Sequence, residues 1–69
     1  MKEIDDLSRA EIEYLIEQWI HNQKTRAILK RRLLDGVVFE KLAEEFDLSV
    51  PQIKTIVYKA QEKLFKRIP

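Results

Sequence analysis

The chain has few side chains that could act as a nucleophile, a general base or a metal ligand. It has no cysteine, and its single histidine, His21, has no second histidine or cysteine with which to share a metal ion. Its two serines, Ser8 and Ser49, each precede a glutamate or glutamine by three residues, which is the spacing of a helix capping box. Both hydroxyls are therefore expected to bond to backbone rather than to a substrate. We expect a protein that is not an enzyme and that uses no cofactor.

A second kind of chemistry is carried by the polar and basic residues that follow Ser49. Apolar residues recur there at helical spacing and predict a helix over residues 50–66 with one apolar face. They are Ile53, Ile56, Val57, Ala60 and Leu64. A rotation of about 100° per residue turns Gln52, Lys54, Thr55 and Lys59 away from that face. Such side chains hydrogen-bond base edges and phosphates, so the pattern indicates a helix that binds nucleic acid; the alternative is a solvated amphipathic helix.

Three earlier helices are predicted to position this one. With only one glycine and two prolines in 69 residues, the composition favours a single all-α domain over residues 1–69. The predicted helices cover about 8–21, 23–35, 39–46 and 50–66. Asn22 is the expected N-cap of the second helix, and Gly36 is expected to end it with a positive φ.

The last two helices are separated by Asp47, Leu48 and Ser49 only. Apolar residues before this break are spaced i, i+3, i+4 and i+7, as on one face of a helix. They are Phe39, Leu42, Ala43 and Phe46. A turn of three or four residues that sets one helix across the next is typical of a helix-turn-helix unit. We therefore expect a four-helix helix-turn-helix domain.

The net charge of +1 hides an asymmetry between the two ends of the chain. Residues 1–23 carry two basic and six acidic side chains, whereas residues 24–69 carry eleven basic and six acidic ones. A basic half favours an anionic partner such as double-stranded DNA.

The sequence shows no secretion signal and no apolar run that could cross a membrane, so we expect a cytoplasmic protein with no membrane partner.

The stretch from Arg26 to Lys66 resembles region four of the sigma-70 family, in the stand-alone form found in phages and mobile elements of Gram-positive bacteria. The matching segments read RAILKRRLLDG and FEKLAEEFDLSVPQIKTIVYKAQEKL. The resemblance implies that the last helix enters the major groove of promoter DNA. The implied DNA-binding residues are Val50, Pro51, Gln52, Lys54, Thr55, Tyr58 and Lys59 on that helix, with Arg31, Arg32 and Lys41 as backbone contacts. No part of the sequence resembles region two of these factors, so we do not expect this chain to be a complete sigma factor.

Other partners remain open at this point. A sigma-like fragment could dock on RNA polymerase, or on another regulator, without reading DNA itself. Tyr58 and Phe65 lie off the core face, so they either pack against the end of the first helix or form an apolar patch for a partner. Through that patch the chain could form a homodimer, as in dimeric four-helix regulators of the LuxR-like type.

Overall fold

The chain folds into four helices joined by short connections. A computed structural model describes residues 7–67; residues 1–6 and 68–69 of the predicted domain lie outside the described part. The helices are α1 (Arg9–Trp19), α2 (Gln23–Leu33), α3 (Phe39–Phe46) and α4 (Val50–Phe65), and no strand occurs within residues 7–67. This confirms the all-α prediction, and the predicted helix ends differ from the observed ones by at most two residues. None of the helices in the described range has the length and apolar character that a membrane crossing requires.

Side-chain caps fix the starts of three helices. Ser8 Oγ accepts the N–H of Glu11 at 3.2 Å, and the Glu11 carboxylate accepts the N–H of Ser8 at 3.2 Å. Ser49 and Gln52 form the same reciprocal pair at the start of α4, with distances of 3.3 and 2.9 Å. The side chain of Asn22 caps α2 at 3.0 Å. Both capping boxes and the Asn22 cap are thus confirmed, and each occupies backbone donors that a helix start leaves without partners.

Two residues with positive φ turn the chain between helices. The positive φ predicted for Gly36 is confirmed, but α2 ends at Leu33 with Leu34 as its C-cap, so Gly36 lies three residues beyond the helix and does not end it. Gly36 has φ 68° with nothing within 4 Å of the place where a Cβ would stand, so its backbone conformation rather than lack of space favours glycine. Asp47 follows α3 with φ 54°, in the left-handed region that aspartate tolerates. Beyond it, the N–H of Leu48 bonds to the carbonyl of Ala43 at 3.0 Å, as in a Schellman ending. The connection 47–49 is therefore a defined turn that delivers the chain directly into α4.

The hydrophobic core draws residues from all four helices, and α4 lies at its centre. Its buried members are Ile12, Ile16, Ile20, Ile28, Leu29, Leu42, Ile53, Val57, Ala60 and Leu64. Four of these ten belong to α4, and α4 packs against each of the other three helices. Each large aliphatic side chain removed from water contributes about 1.5–3 kcal/mol. One face of α4 is therefore fixed by the core, which leaves its opposite face to solvent.

Arginine side chains hold α1 and α2 together at both ends. Arg26, at the start of α2, donates to the carbonyls of Glu17, at 2.6 Å, and Ile20, at the end of α1. Arg9, at the start of α1, donates to the carbonyl of Leu34 at 2.9 Å. The start of each helix thus meets the end of the other, so α1 and α2 run antiparallel. These bonds satisfy carbonyls that the helix ends leave without intrahelical partners.

Candidate nucleic-acid interface

The predicted contact residues of α4 lie on its solvent side. Of the seven, only Val50 is half-buried; the other six are exposed. Those six are Pro51, Gln52, Lys54, Thr55, Tyr58 and Lys59. At positions 53, 57, 60 and 64, the buried residues of α4 turn inward. The structure therefore brings this predicted set together on one surface, although its contact with DNA stays a prediction.

Gln52 has two possible roles that compete. Its Oε1 accepts the backbone N–H of Ser49 at 2.9 Å and lies 3.1 Å from the Ser49 hydroxyl. A glutamine that reads an adenine uses its oxygen and its nitrogen together. In the capped conformation that oxygen already serves the helix start, so only the amide NH₂ group could be offered to a base without breaking the cap.

A cluster around the ring of Phe39 lies beside this surface; we call it the Phe39 cluster. The guanidinium carbon of Arg32 lies 4.1 Å from the centre of the Phe39 ring, and the ammonium of Lys54 lies 5.8 Å from it. Tyr58 meets the same ring edge-on, with centroids 6.0 Å apart. Cations are attracted to the face of an aromatic ring at such distances. The cluster thus joins α2, α3 and α4, and it places two positive charges at one flank of the α4 surface.

The opposite flank of α4 faces the start of α2 across a groove of about 400 Å³. Lys59 and Lys63 line this groove from α4, and Asn22 and Thr25 line it from the start of α2. The ammonium groups thus stand beside hydroxyl and amide side chains, a combination that hydrogen-bonds phosphate oxygens. Positive charge is therefore present on both flanks of the α4 surface.

Arg31, a predicted backbone contact, is held within the protein by two carboxylates. Its Nη2 and Nε donate to Glu45 at 2.6 and 3.0 Å, and its Nη1 donates to Asp35 at 3.1 Å. Asp35 also accepts from Arg9 at 3.1 Å. The bond from Arg31 holds the pKa of the Glu45 carboxyl below its usual range, and bonds from Arg9 and then Arg31 do the same for the pKa of Asp35. Since a carboxylate fork satisfies this guanidinium, Arg31 joins α2 to α3.

The other two predicted backbone contacts differ in their surroundings. Arg32 is half-buried and donates to the carbonyl of Val37 at 3.0 Å, in addition to its place over Phe39. Lys41 is exposed on α3, with its ammonium 3.9 Å from the carboxylate of Glu44. An exposed pair at that distance is weak, so Lys41 can exchange Glu44 for another anion at little cost.

The two aromatic residues that lay off the predicted core face are both exposed. Tyr58 is 55% exposed although it touches Phe39, and Phe65 is 49% exposed. Tyr58 therefore packs against α3. The end of α1 is instead covered by Arg67, whose guanidinium carbon lies 4.1 Å from the centre of the Trp19 ring. A homodimer through Tyr58 and Phe65 stays a prediction.

Sequence reasoning assigned Phe39 to the apolar face of α3 and did not foresee the cations around its ring. No local sequence pattern could reveal this cluster, since Arg32 and Lys54 lie seven and fifteen residues away on different helices.

No group of three or more histidine, cysteine, aspartate or glutamate residues that could hold a metal ion occurs within the described part of the chain. Comparisons with protein-family models, with curated proteins and with solved structures found no match.

Proposed function

We propose that this chain binds double-stranded DNA through the solvent face of α4 and acts as a small transcriptional regulator related to region four of sigma factors. In this proposal α3, the turn 47–49 and α4 form a helix-turn-helix unit. The observation that carries the proposal is the separation of the two faces of α4. Ile53, Val57 and Leu64 are buried, whereas Lys54, Thr55 and Lys59 are exposed.

The dimensions of α4 support insertion into the major groove. Its 16 residues make a helix about 24 Å long. The major groove of B-DNA, about 12 Å wide, admits an α-helix. Because the core fixes one side of α4 and the capped turn fixes its start, the helix can enter the groove without losing its packing. Thr55, near its first turns, would face base edges, while the lysines on its flanks would face phosphates.

Charge on α4 also supports this proposal. Its 16 residues include three lysines and a single acidic residue, Glu62. Each phosphate neutralised by a lysine releases a counterion, so the logarithm of affinity falls by about 0.9 per contact for each decade of salt. Between 50 and 200 mM salt, one such contact accounts for a loss of about 3.5-fold in affinity, and two contacts for about 12-fold.

The test is fluorescence anisotropy with a labelled duplex across a salt series. Lys54→Gln and Lys59→Gln should each lower the salt slope by about 0.9. Lys30→Gln is the matched control, because it removes the same charge from a side chain that faces Glu17 of α1 at 3.0 Å. Absence of binding, or slopes that are the same in all four proteins, would overturn the proposal.

Base reading needs a separate measurement, because lysine contacts to phosphates carry no sequence information. Affinities for several duplexes should differ at constant salt, and Thr55→Ala should reduce that difference while leaving the salt slope unchanged. If all duplexes bind equally to the unmodified protein, the binding is non-specific and the proposed role as a transcriptional regulator is wrong.

A second candidate function is docking on RNA polymerase or another regulator without DNA reading. The exposure of Tyr58 and Phe65 favours it, since large aromatic side chains are enriched at protein interfaces. Affinity capture with purified polymerase, repeated with Tyr58→Ala and Phe65→Ala, tests this candidate. Sedimentation at micromolar concentration tests the homodimer, and a strict monomer there would exclude it.

A further inference from the structure

The first turns of α4 and the connection before them form a small hollow on the surface that we propose to contact DNA. It has a volume of about 400 Å³ and is lined by Leu48, Pro51, Gln52, Thr55 and Ile56; we call it the α4 hollow. Leu48 and Ile56 are half-buried and pack against the core, so they form a fixed floor. Pro51, Gln52 and Thr55 are exposed and form the rim.

Most of the α4 hollow is hydrocarbon. Leu48 and Ile56 present aliphatic carbon at the floor, and Pro51 adds its ring at the rim. Pro51 lies in the first turn of α4, where the N–H that proline lacks would have no partner within the helix. An apolar ring therefore stands at the exposed start of α4 without disturbing the helix. Such a surface binds a methyl group more favourably than it binds a phosphate.

Gln52 brings a hydrogen-bond donor to the rim of the α4 hollow. Its Oε1 accepts the backbone N–H of Ser49 at 2.9 Å and the Ser49 hydroxyl at 3.1 Å. An amide oxygen has two lone pairs, so these two bonds use its capacity. The amide NH₂ group is then the part of Gln52 that can bond to a ligand. The α4 hollow thus combines an apolar floor with a donor.

This combination matches one of the four bases at its major-groove edge. Thymine presents the acceptor O4 beside the methyl group on C5. Cytosine presents an N4 donor and no methyl group, and guanine presents acceptors without a methyl group. Adenine presents a donor and an acceptor, which a glutamine reads with its oxygen and nitrogen together. Thymine is therefore the base that offers both an acceptor to Gln52 and a methyl group to the hollow.

The charges next to the α4 hollow also fit a duplex. Ile56 lines both this hollow and the neighbouring groove that carries Lys59 and Lys63. None of the five residues that line the hollow is acidic. Glu62, the single acid of α4, lies seven residues beyond Thr55, about 10 Å along the helix axis. An apolar site beside ammonium groups is suited to the major groove, where the edges of the bases lie between two rows of phosphates.

We propose that the α4 hollow holds the 5-methyl group of a thymine in the major groove, while the amide NH₂ group of Gln52 donates to O4 of the same base. Pro51 and Ile56 are then specificity-determining residues, because they contact the group by which thymine differs from uracil. This inference rests on the proposed DNA contact of α4 and names the base that the contact selects.

The test compares two duplexes of the same sequence, one with thymine and one with uracil at every thymine position. Uracil keeps O4 and lacks only the methyl group. Fluorescence anisotropy at constant salt should show about fourfold weaker binding of the uracil duplex, the factor that corresponds to about 0.8 kcal/mol for one buried CH₂ group. The salt slopes of the two duplexes should be equal, because their phosphates are the same.

Pro51→Ser tests the apolar side of the hollow. It replaces the ring by a polar side chain at an exposed position, so circular dichroism should report an unchanged fold. We expect it to remove most of the difference between the thymine and uracil duplexes. Tyr14→Ser is the control, because it removes an exposed apolar side chain, 63% exposed, from α1 instead. It should keep the fourfold difference.

Gln52→Glu tests the donor. Glutamate also serves as the partner in a capping box, so the start of α4 should keep its cap. The variant replaces the amide NH₂ group by an oxygen, which accepts from N4 of cytosine. The unmodified protein should prefer a thymine duplex to one with 5-methylcytosine–guanine pairs in place of thymine–adenine pairs. Gln52→Glu should lose that preference, because the methyl group is the same in both duplexes.

The possible failures are distinct. Equal affinity for the thymine and uracil duplexes, with the salt slope intact, would overturn this inference and leave DNA binding by α4 standing. A fourfold difference that persists in Pro51→Ser would show that the methyl group is held elsewhere and would also overturn it. Absence of binding to every duplex would overturn the proposed function and this inference together.

Discussion

Replacing Leu42 by alanine should remove much of the stability of this chain. The side chain of Leu42 has no exposed surface, and it is the only buried residue of α3. A leucine truncated to alanine in a core costs about 2–5 kcal/mol. At about 0.05–0.15 kcal/mol per residue, a 69-residue domain has a free energy of unfolding of about 3–10 kcal/mol. We expect a loss of about 3 kcal/mol, a large fraction of that total.

The corresponding change in melting temperature follows from the size of the chain. Unfolding entropy is about 2.1 cal/mol/K per residue, or about 145 cal/mol/K for 69 residues. A loss of 3 kcal/mol therefore lowers Tm by about 20 °C. Thermal unfolding followed by far-ultraviolet circular dichroism measures this shift, and urea unfolding should show a lower midpoint with an unchanged slope.

Val38→Ala is the matched control for this prediction. Val38 adjoins α3 but is 57% exposed, so its truncation should move Tm by no more than about 3 °C. If Leu42→Ala lowers Tm by less than about 5 °C, Leu42 does not occupy a tightly packed site. The placement of α3 against α2 and α4 would then be wrong, together with the position of the turn before α4.

Three further predictions concern the turn before α4 and the ion pairs of α2. Ser49→Ala should cost about 1 kcal/mol, or about 7 °C in Tm, because it removes the cap from α4, whereas Ser49→Asp should restore most of the loss. Asp47→Gly should leave Tm almost unchanged, but Asp47→Val should cost about 1–2 kcal/mol, because a β-branched residue is strained at a φ of 54°. The Glu45 carboxyl, whose pKa Arg31 lowers, stabilises the fold above the ordinary glutamate pKa, and this contribution is lost as pH falls through the lowered value. Tm should therefore fall as the pH is lowered below the ordinary glutamate pKa, and a pH series of melting curves should show a smaller fall in Arg31→Gln.

Features that depend on neighbouring residues could be predicted from the sequence. Ser8 and Ser49 each lie three residues before their capping partner, and Asn22 caps the backbone within the next turn. Gly36 and Asp47 are the two residues with positive φ in the described part. The positive φ of Gly36 was predicted, although α2 ends three residues before it, and Asp47 was expected in the break before α4. These signals act over three to five residues, so helix starts, helix ends and buried faces follow from the local pattern.

Pairings between helices could not be predicted in the same way. Glu45 lies fourteen residues from Arg31 and meets it because α2 packs against α3. From the sequence alone, Arg31 was one basic residue among several, and contact with DNA was as reasonable a role as an ion pair. The same limit applies to Lys54, because helical periodicity gives the direction of a side chain but not the ring of Phe39 beside it.

The short connections between the helices also determine how fast the chain can fold. They comprise residues 20–22, 34–38 and 47–49, so each helix meets the next after at most five residues of loop. Chains with such local contacts have low relative contact order and fold in about microseconds to milliseconds. When refolding is that fast, an unfolded chain closes again many times before a protease can cleave it. The lifetime of this protein in the presence of a protease should then follow its equilibrium free energy of unfolding rather than its unfolding rate.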